Sequence, residues 1–370
     1  VSNHRVDVLI IGAGQAGLAT AQELQRRGVT SMRIIDRGPG SGGAWQHRWA
    51  SLRLDDAHQV EDLPGLDTLG LSFRTAPGDE PAREIVADYY SRYERAYGLP
   101  IRRPIEAVAV TADGPDHTLR VTTRNAVTGT PDTEILARIV INASGTWTHP
   151  IQPEVPGREL FTGRQLRTPE FVAAEAFAGQ HVIVVGGGTS AIGFVLELSP
   201  VAARVQWATR HPVDFSETVG LARDHARAAV AAQDEAARAG EILPSIVSGT
   251  GVPLTRRMRQ AREAGILTER PMFTALTETG VIWPDGTAET VDAIIWAAGF
   301  RAEVDHLEPL GLAAPGHTIR VERGRAIDEP RLFLAGYGPQ ASTIGAARSA
   351  RATAAQVVQA LGEEPRVSGR

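Results

Sequence analysis

The 370-residue chain contains no cysteine and no lysine. Without a thiol it has no dithiol redox pair, no thiolate nucleophile, no cysteine-held metal and no disulfide. Without a lysine it lacks both a Schiff-base amine and a P-loop lysine. All 38 basic residues are therefore arginines, a bias that nothing local demands and that reads as genome composition. A strong excess of positive charge is also missing: the net charge of -5 gives no reason to expect nucleic-acid binding. Long apolar runs are absent too. The uncharged stretches are broken by glycine clusters and are too short to span a bilayer, and no signal-peptide pattern is visible. The expectation is a soluble, cytoplasmic protein long enough for two separate cores.

What is present begins with Val6–Ile11, an apolar run ending at Gly12 that suits a central parallel strand buried on both faces. Gly17–Arg27 reads as a helix with Gly28 at its C-cap, and Ser31–Asp36 as the next strand. The chain thus opens with one β–turn–α–β unit. Glu84–Tyr97 predicts a second helix, closed by Gly98. The alternating runs Ile105–Thr111, Thr118–Thr123 and Glu134–Ile141 predict an antiparallel meander added to the parallel sheet. A second β–turn–α–β cycle runs through the strand His181–Val185, the helix Ser190–Leu198 and the strand Val205–Thr209. Pro150, Pro153 and Pro156 mark the linker before it. Leu221–Gly240 and Thr255–Gly265 predict two helices inserted over the second unit, readable either as a solvated pair or as a lid. Gly280–Trp283, Asp292–Trp296 and Leu332–Ala335 read as strands, and a final helix starts near Thr343.

Two motifs carry the chemistry. Gly12-Ala13-Gly14-Gln15-Ala16-Gly17 is a G-x-G-x-x-G directly after a strand and at the opening of a helix. Its first glycine allows the tight turn, its second lets a pyrophosphate approach the backbone, and its third permits close helix–strand packing. Asp36, followed by Arg37, ends the second strand, where a carboxylate accepts hydrogen bonds from a ribose. Gly186-Gly187-Gly188-Thr189-Ser190-Ala191 repeats the pattern with alanine last, but its second strand ends in Thr209-Arg210 instead of an acid. A guanidinium there suits the 2′-phosphate of NADPH, although Arg210 also reads as one of many surface arginines. Two sites with different termini point to two different dinucleotides, a held flavin in the first and a diffusible reductant in the second.

Further segments give these motifs a family likeness. Gly42-Gly43-Ala44-Trp45 resembles the GGxW element of flavin-dependent monooxygenases of the flavin-containing and Baeyer–Villiger type. Asn142-Ala143-Ser144-Gly145-Thr146 and Trp296-Ala297-Ala298-Gly299-Phe300 resemble the two segments that link the FAD and NADPH domains in that family. Leu332-Phe333-Leu334-Ala335-Gly336-Tyr337 with Ser342-Thr343-Ile344-Gly345 resembles its C-terminal flavin motif, where a helix N-terminus faces the flavin. Phe161, Gly163 and Phe171 match the signature FxGxxxHxxx(F/Y/W), but Arg167 stands at the histidine position, keeping charge and losing imidazole titration. With one residue gapped, Asp55 falls where Baeyer–Villiger enzymes place an aspartate near the flavin; it also reads as a helix cap. Trp45 reads either as a flavin contact or as core, and His47, His58, His149 and His211 show no partner spacing.

The resemblance covers nearly the whole chain and implies an α/β fold of two Rossmann-like dinucleotide-binding domains. Residues 1–150 and 300–370 would form a discontinuous FAD domain carrying the meander. The NADPH domain, residues 151–299 with a helical insertion at about 221–265, would be inserted into it. The implied activity is an NADPH-dependent monooxygenase that inserts one oxygen atom of O2 into a small organic substrate through a C4a-(hydro)peroxyflavin. Arg53, Asp55 and Arg167 are the candidates near the reacting centre, no metal is expected, and a homodimer is left open. The alternative is an NAD(P)H-dependent flavin reductase that passes hydride to a quinone, a disulfide or a partner without oxygenation.

Overall fold

The computed structural model describes residues 4–57, 60–216, 223–242, 251–314, 318–338 and 345–362. Strand β1 (His4–Ile11) is fully enclosed over Val8–Ile10 and passes through Gly12 into α1 (Gln15–Arg26). β2 (Met32–Ile35) returns parallel to β1, as its run of apolar residues requires. Then follow α2 (Ala82–Ala96), β3 (Ile101–Arg102), β4 (Ile105–Thr111), β5 (Leu119–Asn125) and β6 (Pro131–Asn142).

The expected meander is present, with β4 antiparallel to β5 and β5 antiparallel to β6. β6 also does something that alternation does not reveal. Its second half runs parallel to β1, with Val8 beside Ile139 and Ile11 beside Asn142. Ile139–Ile141 are buried throughout, so the meander's last strand becomes a central strand of the parallel sheet.

The second unit comprises β7 (Arg164–Arg167), β8 (His181–Val185), α3 (Thr189–Leu198) and β9 (Arg204–Thr209), then β10 (Phe215–Ser216) and α4 (Arg223–Ala239). β11 (Val252–Pro253), α5 (Arg256–Glu263), β12 (Glu269–Pro271), β13 (Ala275–Leu276), β14 (Gly280–Ile282), β15 (Ala288–Thr290) and β16 (Ala293–Trp296) complete it. Its parallel sheet has the order β12-β9-β8-β16-β7. β7 lies inside the segment read as linker; its pairing with the buried strand β16 makes a strand of residues that have no strand pattern of their own.

The chain then returns through β17 (Ala313–Ala314), β18 (Thr318–Ile319), β19 (Val321–Glu322), β20 (Arg325–Ala326) and β21 (Leu332–Leu334) to α6 (Gly345–Gly362). β21 joins β6 in parallel, giving the first sheet the order β19-β20-β21-β6-β1-β2-β3. The strands that flank β1 and β6 therefore come from both ends of the chain. α6 packs on α1, and Arg351 of α6 reaches Glu23 of α1 at 3.6 Å.

One of the two inserted helices lies as expected and the other does not. α5 packs on α3 through the buried Met258 and Ala261. α4 instead lies on the first unit: Ala237 shares a core with Val321 and Tyr337, and the Thr318 hydroxyl donates to the Gly240 carbonyl at 2.6 Å. The insertion thus leans on both units, because the Ala-rich face of α4 finds its apolar partner on the first sheet's extension.

Candidate functional site

Both glycine turns lie at the carboxyl ends of the central strands β1 and β8, and they are built alike. Gly12 has φ +105, and a Cβ there would lie 2.4 Å from the Ala143 carbonyl oxygen. Gly186 has φ +138, and a Cβ there would lie 2.1 Å from the Ala297 carbonyl oxygen. The two resembling linker segments therefore press their backbone on the first glycine of each turn. The Ala143 N–H donates to Ile11 and the Ala297 N–H to Val185, both at 2.8 Å. Trp207 Nε1–H fixes the second turn further by donating to the Gly186 carbonyl at 2.7 Å.

The second glycines meet open space. Gly14, the N-cap of α1, has φ -82, and a Cβ there would come no closer than 3.9 Å, to Gly43. Gly188, the N-cap of α3, has φ -94 and nothing within 4 Å of a Cβ. Neither helix start has a side-chain cap bond. Two helix N-termini thus present backbone N–H groups and positive dipole to a space that only glycine leaves free, a cradle that fits a pyrophosphate. The third positions differ as the motifs do: a Cβ at Gly17 would lie 2.0 Å from the Gly12 carbonyl oxygen, whereas Ala191 is accommodated with its Cβ buried. Gln15, Ala16, Thr189 and Ser190 form the first turns of the two helices, and the Gln15 amide donates to the Glu61 carbonyl at 3.2 Å.

Asp36 is buried beside the first turn. Its Oδ2 accepts the Ala13 N–H at 2.6 Å and its Oδ1 accepts the Gly38 N–H at 2.7 Å. Arg103 Nε lies 3.7 Å from Oδ1, and its guanidinium is held by Glu94 at 2.7 and 2.9 Å. Two carboxylate lone pairs are committed to backbone and the others remain for a ribose. Arg37 stands half-exposed, 3.6 Å from Glu303 and 3.8 Å from Glu106.

At the second turn, Thr209 is buried and Arg210 is exposed at the strand end, with no hydrogen bond or ion pair among the described residues. A fork of guanidinium donors is thereby left open to an anion.

The Gly42–Trp45 element joins the first turn to the second unit. A Cβ on Gly43 would meet Gly14 Cα at 2.8 Å, so Gly43 packs directly on the turn, with Ala44 exposed and Trp45 buried. Four residues on, Trp49 packs on Phe194 of α3 at 4.8 Å between ring centres and on Phe171 at 6.0 Å. Gly336 completes the first turn from the C-terminal motif, since a Cβ there would lie 3.0 Å from Ala16 Cβ. Ser342, Thr343 and Ile344, with the expected start of the last helix, fall outside the described residues.

Ala143, Gly145, Ala298 and Gly299 lie where the two linkers cross. Pro150 and Phe300 bridge in antiparallel fashion, the Ile151 N–H donates to Gly299, and the Glu303 N–H donates to Gly145. His149, which shows no partner spacing in the sequence, clamps this crossing: its Nδ1 lies 3.1 Å from Glu303 and its Nε2 3.0 Å from Asp305. No sequence spacing shows this, because the partners lie more than 150 positions apart. His47 and His211 are exposed; His58 lies outside the described residues.

The three candidates for the reacting centre make different contacts. Arg53 is exposed without an ion pair among the described residues. The Asp55 carboxylate lies over Gly78, whose Cβ position it would overlap, and so faces the 78–81 loop. Arg167 ends β7 beside Trp296, at the carboxyl edge of the second sheet, and is ion-paired with Glu170 at 2.6 Å. That pairing raises its pKa further, so it is a permanent cation.

One residue passed over in the sequence stands out: Arg48. Its Cζ lies 4.3 Å from the ring centre of Trp147 and 5.5 Å from that of Trp45, and Trp147 in turn stacks on Phe300 at 5.3 Å. Burial alone lowers its pKa to about 10. Only the spacing Trp45-x-x-Arg48-Trp49 could have flagged it.

A family model described as pyridine nucleotide-disulphide oxidoreductase matches residues 9–221. The chain is similar to the solved flavin-containing monooxygenase from Stenotrophomonas maltophilia, with 33% identity and a TM-score of 0.81 over 96% of this chain and 99% of that one. A doubly substituted form of that enzyme matches at 34% identity over the same shares, also with a TM-score of 0.81. Among curated proteins, indole-3-pyruvate monooxygenase YUCCA4 of Oryza sativa subsp. japonica is 27% identical over 344 residues, 80% of this chain and 75% of that protein. No helix of the described residues is long and apolar enough to cross a membrane.

Proposed function

Since the chain belongs to the pyridine nucleotide-disulphide oxidoreductase family and, within it, to the flavin-dependent monooxygenases, we propose that it is an NADPH-dependent enzyme that oxygenates a small organic substrate. Members of this family use FAD and NADPH. The observation that carries the assignment of the two nucleotides is the contrast between otherwise matching turns. One is completed by the buried carboxylate of Asp36 and the other by the guanidinium of Arg210, which has no ion pair among the described residues.

FAD would be held by Gly12–Gly17 at its pyrophosphate, by Asp36 at its ribose, and by Gly43–Trp45 and Gly336 around the turn. NADPH would lie across Gly186–Ala191, with Arg210 on its 2′-phosphate. When bound, the flavin supplies hydride acceptance and reaction with O2. The chain's own work is placement and exclusion of water. The Trp49–Phe194–Phe171 cluster fastens the Gly42–Trp49 segment to α3 and so fixes one nucleotide unit against the other. The crossed linkers at Pro150 and Phe300 tie the two units together at a second place. Arg167, at the mouth of the second sheet, would supply a fixed positive charge.

Names of relatives span an indole-3-pyruvate monooxygenase and a senecionine N-oxygenase, so the class of oxygenation rests on this chain's own cleft. The test is anaerobic addition of NADPH to the purified yellow protein, followed by air and a panel of amines, sulfides, ketones and 2-oxo acids. Bleaching, then product formed mole for mole with NADPH, is expected with one class. Bleaching with stoichiometric hydrogen peroxide and no product from any class would refute the oxygenase reading and favour a reductase. Failure to bleach would refute both.

A further inference from the structure

Arg48 is a partly buried cation whose surroundings match its charge poorly. It has two aromatic neighbours, Trp147 and Trp45, and no hydrogen bond or ion pair from its side chain among the described residues. Its Nε is closed off from solvent without a partner. Desolvating a guanidinium without an acceptor is costly, and the lowering of its pKa to about 10 reflects that cost. Partly buried arginines are normally paired, as Arg103 is with Glu94 here.

The position of Arg48 says what could complete it. The segment that carries it starts on Gly14, at the first glycine turn, and ends with Trp49 against Gly193 of α3, where a Cβ would lie 3.4 Å from the Trp49 ring. Trp147 lies just past Gly145, and its stacking partner Phe300 lies just past Gly299. Arg48 thus sits where the first turn, the second unit and both linkers meet, between the two candidate nucleotide sites. Each nucleotide pyrophosphate already has a helix N-terminus and an open glycine of its own, and the 2′-phosphate has Arg210. A guanidinium with its face against an indole presents its N–H groups in its own plane. That geometry suits a planar, bidentate acceptor.

We propose that Arg48 binds the carboxylate of the substrate, so that the enzyme acts on an organic acid whose apolar part lies beside the partly exposed Trp147. The proposal rests on the flavin-monooxygenase reading and deepens it. A neutral substrate of the same shape would leave the cation unpaired and would be rejected for that reason.

The experiment uses the oxidised holoprotein with benzoate and phenylacetate as probes and benzamide and phenylacetamide as their neutral isosteres, followed by flavin absorbance and tryptophan fluorescence. At least one acid should bind saturably and about tenfold or more tighter than its amide. Arg48→Gln should lower the acid's affinity to that of the amide while FAD content and NADP+ affinity stay as in the wild type. Arg48→Lys should retain part of the preference. The proposal is overturned if neither acid binds, if acids and amides bind alike, or if Arg48→Gln leaves acid binding unchanged. Loss of FAD or of NADP+ affinity in Arg48→Gln would place the guanidinium on a cofactor phosphate and equally overturn it. Failure of the flavin reading itself shows separately, as wild-type protein that NADPH does not bleach.

Discussion

Replacing the first and second glycines of one turn by alanine should separate folding from cofactor binding. At Gly12, alanine must take φ +105 and place its Cβ 2.4 Å from the Ala143 carbonyl oxygen, a backbone atom that cannot swing away. Left-handed backbone costs about 1–2 kcal/mol for a residue with a Cβ, and overpacking about 1–3 kcal/mol more. The sum, about 2–5 kcal/mol, corresponds to a drop in Tm of roughly 5–15 °C for a domain of this size. At Gly14 the backbone is extended, with φ -82 and ψ -168, and the nearest atom to a new Cβ is 3.9 Å away. The entropy gained by replacing glycine and the small loss at an N-cap offset each other to within about 1 kcal/mol. The methyl group instead fills the space through which a pyrophosphate reaches the helix N–H groups. Flavin-stripped Gly14→Ala should therefore melt within about 2–4 °C of flavin-stripped wild type. Its FAD affinity should fall by about tenfold or more, equivalent to about 1.4 kcal/mol. The assay pairs thermal melts of flavin-free protein with FAD titration by quenching of flavin fluorescence. Equal destabilisation by the two substitutions, or wild-type FAD affinity in Gly14→Ala, would refute the reading of this turn as a cradle.

Two further outcomes follow from other residues. Arg210→Ala should raise the KM for NADPH about tenfold or more and leave that for NADH unchanged, read from initial rates with each reductant; an equal change for both would remove Arg210 from the 2′-phosphate. Burial holds the pKa of His306 below its usual 6.5, outweighing the raising effect of Glu303, Asp305 and Glu106. The imidazole, whose Nε2 lies 3.0 Å from Asn142 Oδ1, is therefore neutral in the fold, and its contribution to stability is complete above about pH 6.5. As pH falls below that, the unfolded chain takes up the proton first and stability declines until the folded pKa is passed. Melting curves between pH 5 and 8 should show this slope in the wild type and a shallower one in His306→Gln; identical slopes would contradict it.

Much of the molecule was legible residue by residue because its signals are local. Gly12-Ala13-Gly14 after a buried run, Asp36 one strand later, and Gly186-Gly187-Gly188 in the same context all obey short-range rules of turn geometry and apolar periodicity. They suffice for two parallel-sheet units and two candidate nucleotide sites. Tertiary structure decided what depends on contacts between distant segments. It made β6 at once the end of a meander and a central strand, and turned part of a proline-flanked linker into β7. It laid α4 on the first unit, where its small apolar residues could be covered. It drew Asp55 to the 78–81 loop and paired Arg167 with Glu170. Arg48 shows the physical reason most clearly. In sequence it is one arginine among 38; only when Trp45, Trp147 and Phe300 converge from three parts of the chain does its charge lose part of its water without gaining a partner among the described residues. Local sequence sets turn geometry and apolar periodicity, whereas distant strand pairing, desolvation and charge pairing are properties of the packed chain.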